Sequence, residues 1–118
     1  MAVETVPQNY INITGVPNGP KPKSGITHYV ARILLGTRAG GWNVGTDPED
    51  IAESVVAALS SRIDLIRGSE IRLESDPSRA VTAAFPPNLA FPQRPLTEAR
   101  LEEVRQTVRT AFPEIQFI

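Results

Sequence analysis

Residues suited to chemistry are sparse in this chain. His28 is the only histidine, cysteine is absent, and thirteen Asp and Glu stand against twelve Lys and Arg. Any histidine-dependent proton transfer must therefore centre on His28. Its neighbours Thr27 and Arg32 complete neither a nucleophile–base–carboxylate set nor a metal-ligand spacing. His28 and Arg32 do suit a different task, holding an anionic or carbonyl ligand in a pocket on a sheet face. Glu70, Glu74 and Asp76 lie close in sequence, but glutamates on alternate residues of a strand read as a solvated face. Cross-strand pairing of Glu70 or Glu74 with His28 or Arg32 is the simpler role for these charges. No catalytic residue, metal or cofactor is assigned.

The stretch GTRAGGWNVGTDPED, residues 36–50, holds four of the eight glycines and the only tryptophan. A strand, a glycine-rich turn and a helix start are the ingredients of a phosphate site. Neither G-x-G-x-x-G nor G-x-x-x-x-G-K-[ST] is present, however, and Asp47, Glu49 and Asp50 occupy the helix end. Each carboxylate there already favours the helix dipole by roughly 0.3–1 kcal/mol, so a phosphate would meet repulsion. The remaining recognition residues of the stretch are Arg38 and Trp42, types enriched at binding hot spots. Against that stands a structural role, with Trp42 folded back over the core edge and the glycines serving a hairpin-like excursion.

The elements that must position these residues follow from hydrophobic period. Residues 26–35, ITHYVARILL, are apolar on both parities, with Tyr29, Ala31, Ile33 and Leu35 on one face and Val30 and Leu34 beside His28 and Arg32 on the other. Two-sided apolarity predicts a central strand. Asp47 caps a helix with Pro48 at its first position, and Ile51, Val55, Leu59, Ile63 and Ile66 form its stripe before Gly68. Glu70–Glu74 alternates as a half-exposed strand, Asp76–Pro77 turns the chain, and Ala80–Phe85 returns as a strand. A proline-rich connection over 86–95 exposes Leu89 and Phe91. Thr97 caps a second helix with Leu101, Val104, Val108, Ala111 and Phe112 inward, and residues 115–118 form a last short strand.

The expected fold is α+β, a ferredoxin-like βαββαβ sandwich over residues 26–118 with two helices on one face of an antiparallel sheet. Residues 1–25 are expected as an irregular N-terminal arm in which Tyr10–Thr14 makes at most a short edge strand. The 118 residues suffice for one domain, and eleven prolines, roughly twice ordinary usage, imply stiff connections. A net charge of −1 gives no global attraction to nucleic acid or an anionic membrane. A nucleic-acid reading through this strand order also lacks the stacking aromatics it needs on the open face. Arg100, Arg105 and Arg109 on the second helix are interleaved with Glu98, Glu102 and Glu103. The N-terminus lacks a basic segment followed by an apolar run, and the expectation is a soluble, cytoplasmic protein.

Function is read as a small non-catalytic assembly or binding module, homo-oligomeric or bound to another protein. Its contacts are expected at Val30, Leu34, Arg38, Trp42, Leu89 and Phe91. Two alternatives stand beside it: a ligand-binding protein or enzyme with a pocket at His28 and Arg32, and a structural subunit of a larger particle or secretion machine.

Overall fold

Three β-strands open the chain. Asn9–Pro17 forms β1, Ile26–Leu35 forms β2, and Arg38–Asn43 forms β3. They are followed by helix α1 at Ile51–Ser60, strand β4 at Glu70–Glu74, a two-residue strand β5 at Arg94–Pro95, helix α2 at Glu98–Ala111 and strand β6 at Gln116–Phe117. The computed structural model describes residues 9–36, 38–62, 64, 70–79 and 92–118. The expected strand at 80–85, Leu89 and Phe91, and the continuation of the α1 stripe to Ile63, Ile66 and Gly68 lie outside the described residues.

Among the described residues the result is a small α+β domain with a mixed sheet and the two helices named above. The strands run in the order β3-β2-β1-β4-β6, with β5 also paired to β1. Antiparallel pairing joins β1 to β2, β2 to β3 and β1 to β5, whereas β1–β4 and β4–β6 are parallel. The ferredoxin-like order is therefore not what forms, because the strand order and both parallel pairs differ from it. The source of the difference is the segment expected as an irregular arm. Residues 9–17 form the middle strand of the sheet, paired along their length with β2 and flanked on the other edge by β4 and β5.

The expectation failed there for a physical reason. Tyr10, Asn12 and Thr14 alternate with Ile11 and Ile13, a pattern that reads as one polar, solvated face. Asn12 and Thr14 are instead fully buried. Asn12 finds its partner in Asp76 and Thr14 one of its partners in Gln93, each more than sixty residues further along the chain. Local pattern carries no trace of such partners, yet they remove the penalty for burying polar groups. The loop that joins β1 to β2 is also fastened from afar. Arg94 donates from Nη2 to the Lys21 carbonyl at 2.6 Å and from Nη1 to the Pro22 carbonyl at 2.8 Å.

Directly paired residues share a sheet face, so the register sorts the side chains. One face carries Ile11, Ile13, Ala31, Ile33, Leu35, Ile71 and Leu73, all buried. These pack with Ile51, Val55 and Leu59 of α1 and Leu101, Val104 and Val108 of α2. Both helices thus cover one face, as their apolar stripes require. The start of α2 matches expectation, with Thr97 Oγ1 accepting from Arg100 N at 3.3 Å, whereas Asp47, accepting from Glu49 N at 2.9 Å, caps a 3-10 turn at Pro48–Asp50 that leads into α1, whose own N-cap Asp50 makes no side-chain cap bond. At the far end of α2 the core stripe stops sooner than expected, since Ala111 is exposed and Phe112 half-buried.

Candidate functional site

The second face of the sheet carries the polar residues of β1 and the alternate residues of β2 and β3. Pairing aligns them in rows: Tyr10 with Leu34 and Ala39, Asn12 with Arg32 and Gly41, Thr14 with Val30 and Asn43, and Val16 with His28. Row by row the same side of the sheet is presented.

Over β1 this face is closed by polar contacts within the chain. Asn12 Nδ2 donates to the Asp76 carbonyl at 2.9 Å and its Oδ1 accepts from Asp76 N at 3.0 Å, so one amide side chain pairs a whole backbone unit. Asp76 Oδ1 in turn accepts from Ser78 N and from Ser78 Oγ, at 3.0 and 2.6 Å, fixing the turn that presents that backbone. Thr14 Oγ1 donates to Gln93 Oε1. Arg32 Nη1 donates to both of these atoms, to Thr14 Oγ1 at 3.0 Å and to Gln93 Oε1 at 2.9 Å. Tyr10 Oη donates to Glu74 Oε2 at 2.7 Å. Burial lowers the Arg32 pKa from its ordinary value, because desolvation disfavours the guanidinium charge. Among the described residues no buried side-chain nitrogen or oxygen lacks a hydrogen-bond partner.

Exposure on this face rises from β1 toward both ends of the sheet, through half-buried charged Arg72 and Glu74 to exposed Glu70 and Gln116 on the β6 side, and through partly apolar residues on the β3 side. Asn12 and Thr14 on β1 are fully buried, Val30, Arg32 and Leu34 on β2 are half-buried, and Gly41 and Asn43 on β3 are exposed. Strand β3 has β2 as its sheet neighbour and, among the described residues, ends the sheet on that side. The backbone groups of its outer edge can be identified. Val44 N donates to the Tyr29 carbonyl at 2.9 Å, continuing the ladder by which the backbones of Arg38, Gly40 and Trp42 face β2. Those of residues 39, 41 and 43 consequently face away from the sheet.

The residues expected to act are thus brought together only in part. Val30, Arg32 and Leu34 share the second face with His28. His28 and Arg32 are four residue steps apart along the extended strand, roughly 13 Å. Trp42 belongs to the opposite face, beside Ala31, where it packs half-buried against the core. Its six-membered ring lies over Gly40, and a Cβ placed there would come within 2.5 Å of Trp42 Cη2. The cation over the indole is Arg62, at 4.4 Å from the ring centroid, and not the neighbouring Arg38. Sequence reading did not single out Arg62, and only its place just past the end of α1 could have pointed to it. Arg38 is exposed at the start of β3.

Clefts among the described residues lie elsewhere. One of about 370 Å³ between the helices is lined by Glu53, Val56, Thr107, Thr110 and Ala111. Another, of about 230 Å³, is lined in part by Tyr29, Arg94, Thr97 and Arg100. The arginines of α2 are matched by acids. Arg100 pairs with Glu103 at 3.1 Å, and Arg105 pairs with Glu98 at 2.7 Å and Glu102 at 3.1 Å. The Glu98 hydrogen bond is the leading cause that raises the Arg105 pKa. Among the described residues no three His, Asp or Glu side chains gather as a metal site, and no helix is long and apolar enough to cross a membrane.

Comparison of the chain with protein-family models, curated proteins and solved structures found no match.

Proposed function

We propose that this chain is a small non-catalytic self-association module that makes contact through the β2–β3 side of its sheet. The observation that carries the reading is the gradient of exposure on the second face, from buried Asn12 and Thr14 to exposed Gly41 and Asn43. Polar contacts within the chain serve the β1 end of that gradient. At the other end, half-buried Val30 and Leu34 adjoin a sheet edge whose outward backbone groups can accept a further strand. Apolar Leu89 and Phe91 remain part of the proposed contact surface on sequence grounds.

A ligand pocket around His28 and Arg32 is the weaker reading. Arg32 Nη1 is engaged by Thr14 and Gln93, and the spacing along β2 holds His28 apart from it. Light scattering on the intact chain tests the proposal. Wild type should exceed its monomer mass of 12.8 kDa as concentration rises, and paired Val30→Lys and Leu34→Lys substitutions should return it to that mass. A wild-type chain that stays monomeric at high micromolar concentration would overturn the reading.

A further inference from the structure

We infer that β3 pairs edge to edge with β3 of a second copy, antiparallel, about a two-fold axis at Gly41. The inference rests on the self-association reading and names its contact.

The first support is the contrast between the two ends of the sheet formed by the described residues. One end is β6, only two residues long. The other is β3, with six residues, RAGGWN. Edge strands are normally protected by shortness, proline, lysine or a bulge. Strand β3 contains no proline and no lysine, its pairing with β2 is unbroken from residue 38 to 43, and its single charge is at one end. Its outward groups at 39, 41 and 43 are thus arranged to accept another strand.

Charge supplies the second support and selects the partner. Arg38 stands exposed where β3 begins, and Asp47, Glu49 and Asp50 stand exposed just beyond where it ends. None of the four forms an ion pair among the described residues. An antiparallel pair of identical strands brings the cationic start of each copy toward the acidic end of the other. Parallel pairing would instead place Arg38 against Arg38. Such two-fold self-complementarity is what an isologous interface requires.

The indole selects the axis. Residues directly opposite across an antiparallel pair share a face, so the axis must pass through a residue position. At Gly40 it would place Trp42 opposite the second copy's Arg38, adding a guanidinium to a ring that Arg62 already covers. At Gly41 it places Trp42 opposite the second copy's Gly40, which has no side chain to displace the ring. An edge of six residues is small beside the roughly 800 Å² per partner of a standard interface, so the pair should dissociate on dilution.

The native chain lacks cysteine, so Gly41→Cys gives a single thiol at the axis. Under mild oxidation it should form a disulfide-linked dimer at least about tenfold faster than Glu53→Cys, which lies on the helix layer; equal rates would overturn the pairing. Gly41→Pro removes an outward N–H while sparing the β2 ladder. It should weaken self-association at least about tenfold while leaving the circular dichroism and Trp42 emission of the monomer unchanged. If wild type associates but Gly41→Pro associates equally well and Gly41→Cys cross-links no faster than the control, the edge pairing falls and the broader reading stands. If wild type never associates, both fall.

Discussion

Across β1 the second face of the sheet is completed by the chain itself, whereas across β2 and β3 it runs out into half-buried Val30 and Leu34 and then exposed Gly41 and Asn43. The two regions are adjacent and share rows of paired residues, yet they solve the same problem differently. At Asn12 and Thr14 the polar groups are removed from water and each finds a partner from residues 76 or 93. At β3 two of the outward backbone positions belong to exposed Gly41 and Asn43. A buried polar group must be matched within the fold because leaving it unmatched costs about 1–3 kcal/mol. An exposed edge is under no such demand, and it therefore remains available to a partner.

Substitutions can break this contrast, and their expected effects fall in a definite order. Ile13→Ala on the helix-covered face sets the upper reference, since Ile13 is fully buried in the core. It should lower the unfolding free energy by about 2–5 kcal/mol in denaturant titration. Asn12→Ala should come next, at about 1–3 kcal/mol, because it strips partners from both backbone groups of Asp76. A loss within about 0.5 kcal/mol, as for an ordinary surface site, would mean that the β1 region is not closed in the way described.

Gly40→Ala should have a smaller effect on stability and a clear spectroscopic one. A Cβ there would press on the Trp42 ring, so the indole should swing off the sheet and its emission should move to longer wavelength. Unchanged emission would show that the ring does not lie over Gly40. The least effect on folding belongs to Leu34→Gln, on the half-buried side of the second face, with a cost under about 1 kcal/mol. The contrast predicts that this variant, nearly silent in denaturation, weakens assembly more than Asn12→Ala does.

Much of the fold was legible because it is written in local period and capping chemistry. The boundaries of β2 and β4, the Asp47 and Thr97 caps and the buried stripe of α2 follow from residues within a turn or two of one another. The middle strand was not legible as such. Asn12 and Thr14 look like solvent-facing residues until Asp76 and Gln93 are brought to them. The glycines of β3 misled in the same way, since Gly40–Gly41 reads as a flexible excursion, and only the indole stacked over Gly40 explains why small residues belong in a strand there. Of the site, the face shared by Val30, Arg32 and Leu34 was readable from alternation. The partners of Arg32, and Arg62 over Trp42, depend on contacts between distant segments.

Amide hydrogen exchange measured over a range of protein concentrations tests the central claim most directly, because it reads both regions in one sample. The account predicts that protection of residues 38–43 rises with concentration while that of β1 stays constant. Protection of β3 that does not change across a range of concentrations in which light scattering reports association would contradict it.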